Sequence, residues 1–122
     1  MPNEVPPAMS SQPSKADVLQ GTLDLMVLRT LESMGAQHGY SIAARLEQVS
    51  SGALQLNMGT LYPALMRLEQ RGLVKGVWGT TDTNRKARFY ALTAAGRRQL
   101  AKEKQAWDQM AGIIHTLLHG ET

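Results

Sequence analysis

Asn57-Met58-Gly59-Thr60-Leu61-Tyr62-Pro63-Ala64-Leu65-Met66-Arg67-Leu68-Glu69-Gln70-Arg71-Gly72-Leu73 is the stretch whose reading decides the fold. Met58, Leu61, Leu65 and Leu68 recur at helical spacing and form one apolar stripe. Asn57 is a strong N-cap residue, because its side chain can accept a bond from an orphan amide one turn on. Gly72 supplies a C-terminal glycine, and Arg67 and Arg71 favour the negative end of the helix dipole. At 100° per residue, the face opposite the stripe carries Gly59, Thr60, Pro63, Arg67 and Gln70, flanked by Tyr62 and Met66. Hydrogen-bonding groups, small residues and an arginine on one face suit base edges and phosphates in a major groove. The same stretch taken alone also fits an amphipathic core helix with a merely wet outer face. Pro63 removes a backbone bond within the pattern, so a bend or a loose first turn is expected.

Charge distribution separates those readings. The chain has 122 residues and a formal net charge of +3. Residues 57–98 hold eight basic side chains (Arg67, Arg71, Lys75, Arg85, Lys86, Arg88, Arg97, Arg98) against two acidic ones, Glu69 and Asp82. The segments before and after carry a slight acidic excess. A concentrated positive field points to a polyanionic partner. Anionic lipid is the lesser candidate, since an interfacial helix needs large apolar groups on its exposed face. No apolar run is long enough to span a bilayer, and no signal-peptide pattern opens the chain. Cysteine is absent, which excludes disulfides and thiolate metal sites and fits a cytoplasmic location.

Working outward, residues 1–16 contain Pro2, Pro6, Pro7 and Pro13 among small polar residues and read as a disordered arm. Residues 17–34 read as a first helix that Asp17 can cap. Leu19, Leu23, Met26, Val27, Leu31 and Met34 fall on one side, and Val18, Leu25 and Leu28 on the other. Apolar groups on two sides ask for two partners, and a second subunit is expected against Leu25 and Leu28. A second helix spans about 40–50, with Ile42, Leu46 and Val49 inward. Its start offers Tyr40 and Ser41 as phosphate donors beside exposed amides, although Tyr40 equally suits a place at the core edge. Leu54-Gln55-Leu56 alternates like a short strand.

Beyond Gly72, Leu73–Trp78 and Lys86–Leu92 read as two strands around the polar loop 79–84. Arg85, Lys86 and Arg88 sit on the tip and the returning strand. Trp78, Phe89 and Tyr90 are expected to anchor this hairpin on the helices. The order helix, helix, short strand, helix, hairpin is that of a winged helix-turn-helix. The fold class is therefore mainly α (α+β), with a two-stranded wing on a DNA-binding domain spanning 17–92. Its expected DNA-facing residues are Tyr40, Ser41, Asn57, Gly59, Thr60, Tyr62, Pro63, Arg67, Gln70, Arg85, Lys86 and Arg88.

A last helix, 93–119, starts at Thr93 as N-cap. It is longer than a small domain needs. Leu100, Trp107, Met110, Ile114 and Leu117 follow a heptad-like spacing, widened by Ile113 and Leu118. This is the expected dimerisation helix. Trp107 with Met110 reads as an interface anchor, or as the wall of a flat apolar ligand pocket on the seam. His115 and His119 lie four apart, a chelating spacing, but no third ligand is close in sequence and no metal is expected. There is no cysteine nucleophile, phosphate-binding glycine loop or carboxylate cluster, so no enzyme, and no cofactor, is expected.

Gly59-Thr60-Leu61-Tyr62-Pro63-Ala64-Leu65-Met66-Arg67-Leu68-Glu69-Gln70-Arg71-Gly72-Leu73 closely resembles the signature helix of PadR-type transcriptional regulators. His38-Gly39-Tyr40, Trp78, Arg88-Phe89-Tyr90 and Leu92-Thr93-Ala94-Ala95-Gly96 fit the same family, so the resemblance runs from about Leu19 to about Ile114. It implies a homodimeric repressor on a near-palindromic operator in double-stranded DNA, released by a small-molecule effector that in several members is aromatic or drug-like. It also implies that Thr60, Tyr62 and Pro63 form the DNA-facing start of the recognition helix. The family's wing commonly has a glycine at its basic tip, and Asn84-Arg85-Lys86-Ala87 lacks one. The competing readings are a winged-helix protein-interaction module and an enzyme accessory subunit.

Overall fold

The structure, a computed structural model, describes the backbone of residues 15–120 and the side chains of residues 21–120. Its elements run α1 (Lys15–Met34), β1 (Gln37–His38), α2 (Gly39–Val49), α3 (Met58–Gln70), β2 (Val74–Thr80), β3 (Lys86–Leu92) and α4 (Ala94–His119). The expected N-terminal arm falls on residues 1–14, outside the described residues, and on Lys15 and Ala16, which are already helical. The side chain of Asp17 is also outside them.

Helix α3 forms as its stripe dictates. Leu61, Ala64, Leu65 and Leu68 are buried, and each leucine contributes on the order of 1.5–3 kcal/mol by leaving water. Asn57 caps the helix by accepting the Thr60 amide on its side chain at 2.9 Å. The far end closes on Gly72 at φ +74°, with the Leu73 amide reaching back to the Leu68 carbonyl at 2.9 Å. That is the Schellman arrangement, and it needs a residue without a Cβ penalty at the left-handed position. Pro63 lies inside a helix that runs unbroken from Met58 to Gln70.

Helix α1 is the centre of the core. Leu23, Val27, Leu28 and Leu31 are all buried, and α1 packs on α2, α3, α4 and β3. The second apolar side of α1 is thus covered largely by the chain's own elements. Leu28, expected at a subunit interface, is fully buried within the subunit, and so is Leu100 at the start of α4. Neither can meet a partner. Leu25 remains partly exposed at the edge of the core.

The strand reading needs one exchange. Leu54-Gln55-Leu56 forms no strand, whereas Gln37-His38 does. The antiparallel sheet has the order β1-β3-β2, with Gln37 opposite Tyr90 and His38 opposite Phe89. The wing is thereby tied to the start of α2. Thr93 welds α3 to α4: its hydroxyl donates to the Gly72 carbonyl at 2.6 Å and accepts the Gly96 amide at 3.0 Å. Gly96 lies so close to the Leu73 carbonyl that a Cβ would overlap it. Beyond Leu100, α4 runs on past the edge of α1, where Trp107 shares grooves with Leu25 and Met26. From Lys104 to His119 its residues are exposed, including Trp107, Met110, Ile113, Ile114, Leu117 and Leu118.

Candidate nucleic-acid interface

The starts of α2 and α3 meet at a glycine. A Cβ on Gly39 would stand 3.2 Å from the Met58 sulfur and 3.9 Å from the Tyr62 ring. Absence of a side chain there lets the two N-termini approach, and it lays Tyr62 beside the beginning of α2. His38 caps α2, its Nδ1 accepting the Ser41 amide at 3.3 Å. The Ser41 hydroxyl turns back to the His38 carbonyl at 2.9 Å and so already has a partner within the chain. His38 also meets Phe89 edge-on at 5.2 Å. Nothing in the residue types announces that capping role, because histidine is not among the strong N-cap residues.

On α3 the exposed side carries Gly59, Tyr62, Pro63, Met66 and Gln70, with Thr60 partly covered. Asn57, which caps the helix, is exposed beside them. Tyr40 stands out from the start of α2, 70% exposed, which settles its two readings in favour of a surface residue.

The wing faces this surface across a groove. Its strands pair from Val74↔Leu92 to Thr80↔Lys86, so Gly76 with Tyr90, Trp78 with Arg88, and Thr80 with Lys86 share one face. That face turns towards α3, since Tyr90 is buried and Arg88 is ion-paired with Glu69 of α3. A side chain at Gly76 would overlap the Arg88 guanidinium, so the glycine leaves room for that pair. Burial raises the Tyr90 phenol above its ordinary pKa, with the Arg88 charge pulling the other way. At the tip, the Thr81 amide bonds the Arg85 carbonyl at 2.8 Å, and Asn84 takes φ +64°. Asparagine tolerates this left-handed conformation through its short polar side chain, and here it fills the place of the missing glycine.

The groove has a volume of about 690 Å³, and Tyr40, Tyr62, Trp78, Arg85, Lys86 and Arg88 are among its lining residues. Two expected cations are already engaged. Arg88 is held by Glu69, and Arg67 by Asp24 of α1 at 2.9 Å. Arg85 and Lys86 are exposed, and among the described residues neither is paired with a carboxylate. Trp78, expected to anchor the hairpin, is 60% exposed; Tyr90 alone of the three aromatics is fully buried. In the pairing register Trp78 lies opposite Arg88, two pairs nearer the wing tip than the buried Tyr90.

Helices with a small three-stranded antiparallel sheet, the winged-helix architecture, are what solved relatives share. Residues 27–102 match the Transcriptional regulator PadR-like family. The chain belongs to that family. It is 35% identical over 79 residues to the transcriptional regulator Rv3488 of Mycobacterium tuberculosis, a match covering 61% of this chain and 73% of that protein. It is 38% identical over 80 residues to an uncharacterised 37.1 kDa protein in a Streptomyces fradiae transposon. That match takes in 66% of this chain but spans only 21% of the transposon protein. A solved PadR-like transcriptional regulator from Bacillus cereus superposes with a TM-score of 0.73 at 27% identity, covering 86% of this chain and 99% of that one. PadR-like regulators bind DNA, and this PadR-like chain is a transcriptional regulator rather than an enzyme. Among the described residues no helix is long and apolar enough to cross a membrane.

Proposed function

We propose that this PadR-like protein is a cytoplasmic homodimeric repressor that reads a near-palindromic operator and is released by a small effector. One observation carries the reading: Tyr62, exposed in the first turns of α3, and the wing cations Arg85 and Lys86 line the same groove. Residues 17–92 form the DNA-binding unit and 93–119 the dimerisation helix. Gly59, Thr60, Tyr62, Pro63 and Gln70 face base edges, while Tyr40, Arg85 and Lys86 hold phosphates. Asn57 and Ser41 contribute by fixing the helix starts. Arg67 and Arg88 set the positions of α3 and the wing through Asp24 and Glu69.

The apolar stripe of α4 supports the dimer. Trp107, Met110, Ile114 and Leu117 are exposed, and covering them with the same stripe of a second copy removes them from water. Leu25 borders that surface, in a groove it shares with Trp107 and Met110. The effector is placed at Trp107, which also lines a groove of about 600 Å³ with Met26, Val49 and Leu54. An aromatic ligand stacked there alters how α4 leaves the domain and therefore the spacing of the two recognition helices.

Binding of the purified protein to DNA upstream of its own gene, against scrambled competitor and across a salt series, tests the reading. Tight binding that survives competitor is expected. Equal, steeply salt-sensitive affinity for both DNAs, followed by failure to select any sequence from a random pool, overturns it in favour of a protein-interaction module.

A further inference from the structure

Trp78 is the most exposed aromatic on the wing, and its surroundings give it a use. Its strand partner is Arg88, and its neighbours on the same face are Thr80 and Lys86. The Lys86 ammonium lies over the indole, 5.6 Å from the ring centroid. A cation held on one side of an aromatic ring is restrained in place, and the rest of the ring stays open to a further partner. Opposite, across the groove, stands Tyr62 at the start of α3. Because Arg88 is neutralised by Glu69, the cations left to the groove on this side are Lys86 and Arg85. The groove is therefore walled by aromatic rings and lined by Lys86 and Arg85, which outnumber the carboxylate of Asp82 at the wing tip. A phosphodiester strand, whose puckered sugars present C–H faces between regularly spaced anions, matches that mixture of rings and cations.

We infer that Trp78 and Lys86 together grip the DNA strand that passes between α3 and the wing. The indole packs on a deoxyribose, and the ammonium it carries meets the adjoining phosphate. This assignment rests on the DNA-binding reading above and adds to it a contact made by an uncharged ring. It also accounts for a tryptophan left 60% in water on a wing whose other aromatics, Phe89 and Tyr90 of β3, are partly or fully buried. The contact is to the backbone, so it strengthens binding to any sequence alike.

The test uses full-length protein with two duplexes: one selected from a random pool by the wild-type protein, and one of scrambled sequence. Trp78→Ala is expected to weaken both by roughly tenfold, within the range of aromatic packing on nucleotides, at an unchanged salt slope. Trp78→Phe is expected to recover most of the loss. Thr60→Ala serves as contrast and is expected to weaken only the selected duplex. Thermal melts of each variant separate folding from binding, since a half-exposed residue can be truncated without unfolding the domain. A Trp78→Ala protein that melts at a lower temperature yet binds both duplexes like wild type overturns the inference and leaves the parent reading intact. A wild-type protein that selects no sequence defeats the parent reading instead; the Trp78 contact is then still decided on the scrambled duplex.

Discussion

The groove beside α3 and the outer half of α4 both hold large side chains in water, yet their neighbours differ. The groove brings Tyr40, Tyr62 and Trp78 together with Arg85, Lys86 and the lone carboxylate of Asp82 among its lining residues. On α4, Trp107, Met110, Ile114 and Leu117 follow one another along a single stripe, with the charged residues displaced to other faces. Exposed rings among unpaired cations suit an anionic partner that is wet and extended. A continuous apolar stripe suits an equally apolar surface, and a second copy of the same helix is the simplest one. Exposure of a hydrophobic residue therefore has no fixed meaning until the charges around it are counted.

The largest effect is expected on the apolar surface. Replacing Ile114 and Leu117 together by glutamate removes two side chains whose burial contributes on the order of 1.5–3 kcal/mol each and adds charges that must be desolvated. Sedimentation should show a monomer, and operator affinity should fall by roughly a hundredfold or more with the second half-site lost. A stable dimer in this variant would assign the stripe to another partner.

On the groove, Arg85→Ala with Lys86→Ala should leave the dimer intact and flatten the salt dependence of binding. Two phosphate contacts correspond to a slope change of about 1.8. An unchanged slope would move the cationic role to another part of the molecule.

A smaller effect distinguishes engaged from unengaged arginines. Arg67 is one-third exposed and tied to Asp24, so the pair is worth at most about 1 kcal/mol. Arg67→Ala should lower the melting temperature by a few degrees, about what such a loss gives in a domain of this size. Discrimination between selected and scrambled DNA should stay within about twofold of wild type, the noise left when no base contact is lost. A clear loss of discrimination would return Arg67 to the base-reading set.

The smallest effect concerns the wing's anchor. The phenol of Tyr90 has its pKa raised by burial, so the folded state holds its proton more tightly than the unfolded chain does. The contribution is fully present below the unfolded value of about 10 and is lost as pH rises through the folded value. Chemical denaturation should show stability declining above about pH 10, and Tyr90→Phe should remove that part of the decline. The same decline in both proteins would place its cause elsewhere.

The winged fold was legible because its signals are local. Asn57, the leucine stripe and Gly72 mark the ends and inner face of α3 within 16 residues, and the structure keeps all three. Thr93 marks the start of α4 equally well. Expectations failed where they depended on what a second element covers. The two-sided apolarity of α1 was read as a call for another subunit, but α2, α3, α4 and β3 take up most of it and enclose Leu28. Leu100 sits on the heptad spacing of α4 and is enclosed for the same reason. Gln37-His38 became a strand because β3 lay beside it, and two residues leave no periodicity to read.

The order of the helices and the wing hairpin, the Asn57 and Thr93 caps, the glycine close of α3 and the concentration of positive charge in residues 57–98 are all written along the chain. These follow from backbone hydrogen bonding and from the spacing of apolar groups along one segment. Which charges are engaged by a carboxylate is a matter of packing. Asp24 lies 43 positions from Arg67, and Glu69 lies 19 from Arg88, and in each case packing brings the carboxylate to the guanidinium. It likewise left Trp78 in water at the wing's outer part while burying Tyr90 two residues after Trp78's strand partner. Pairing and burial depend on the distance between segments, and spacing along a chain does not contain that distance.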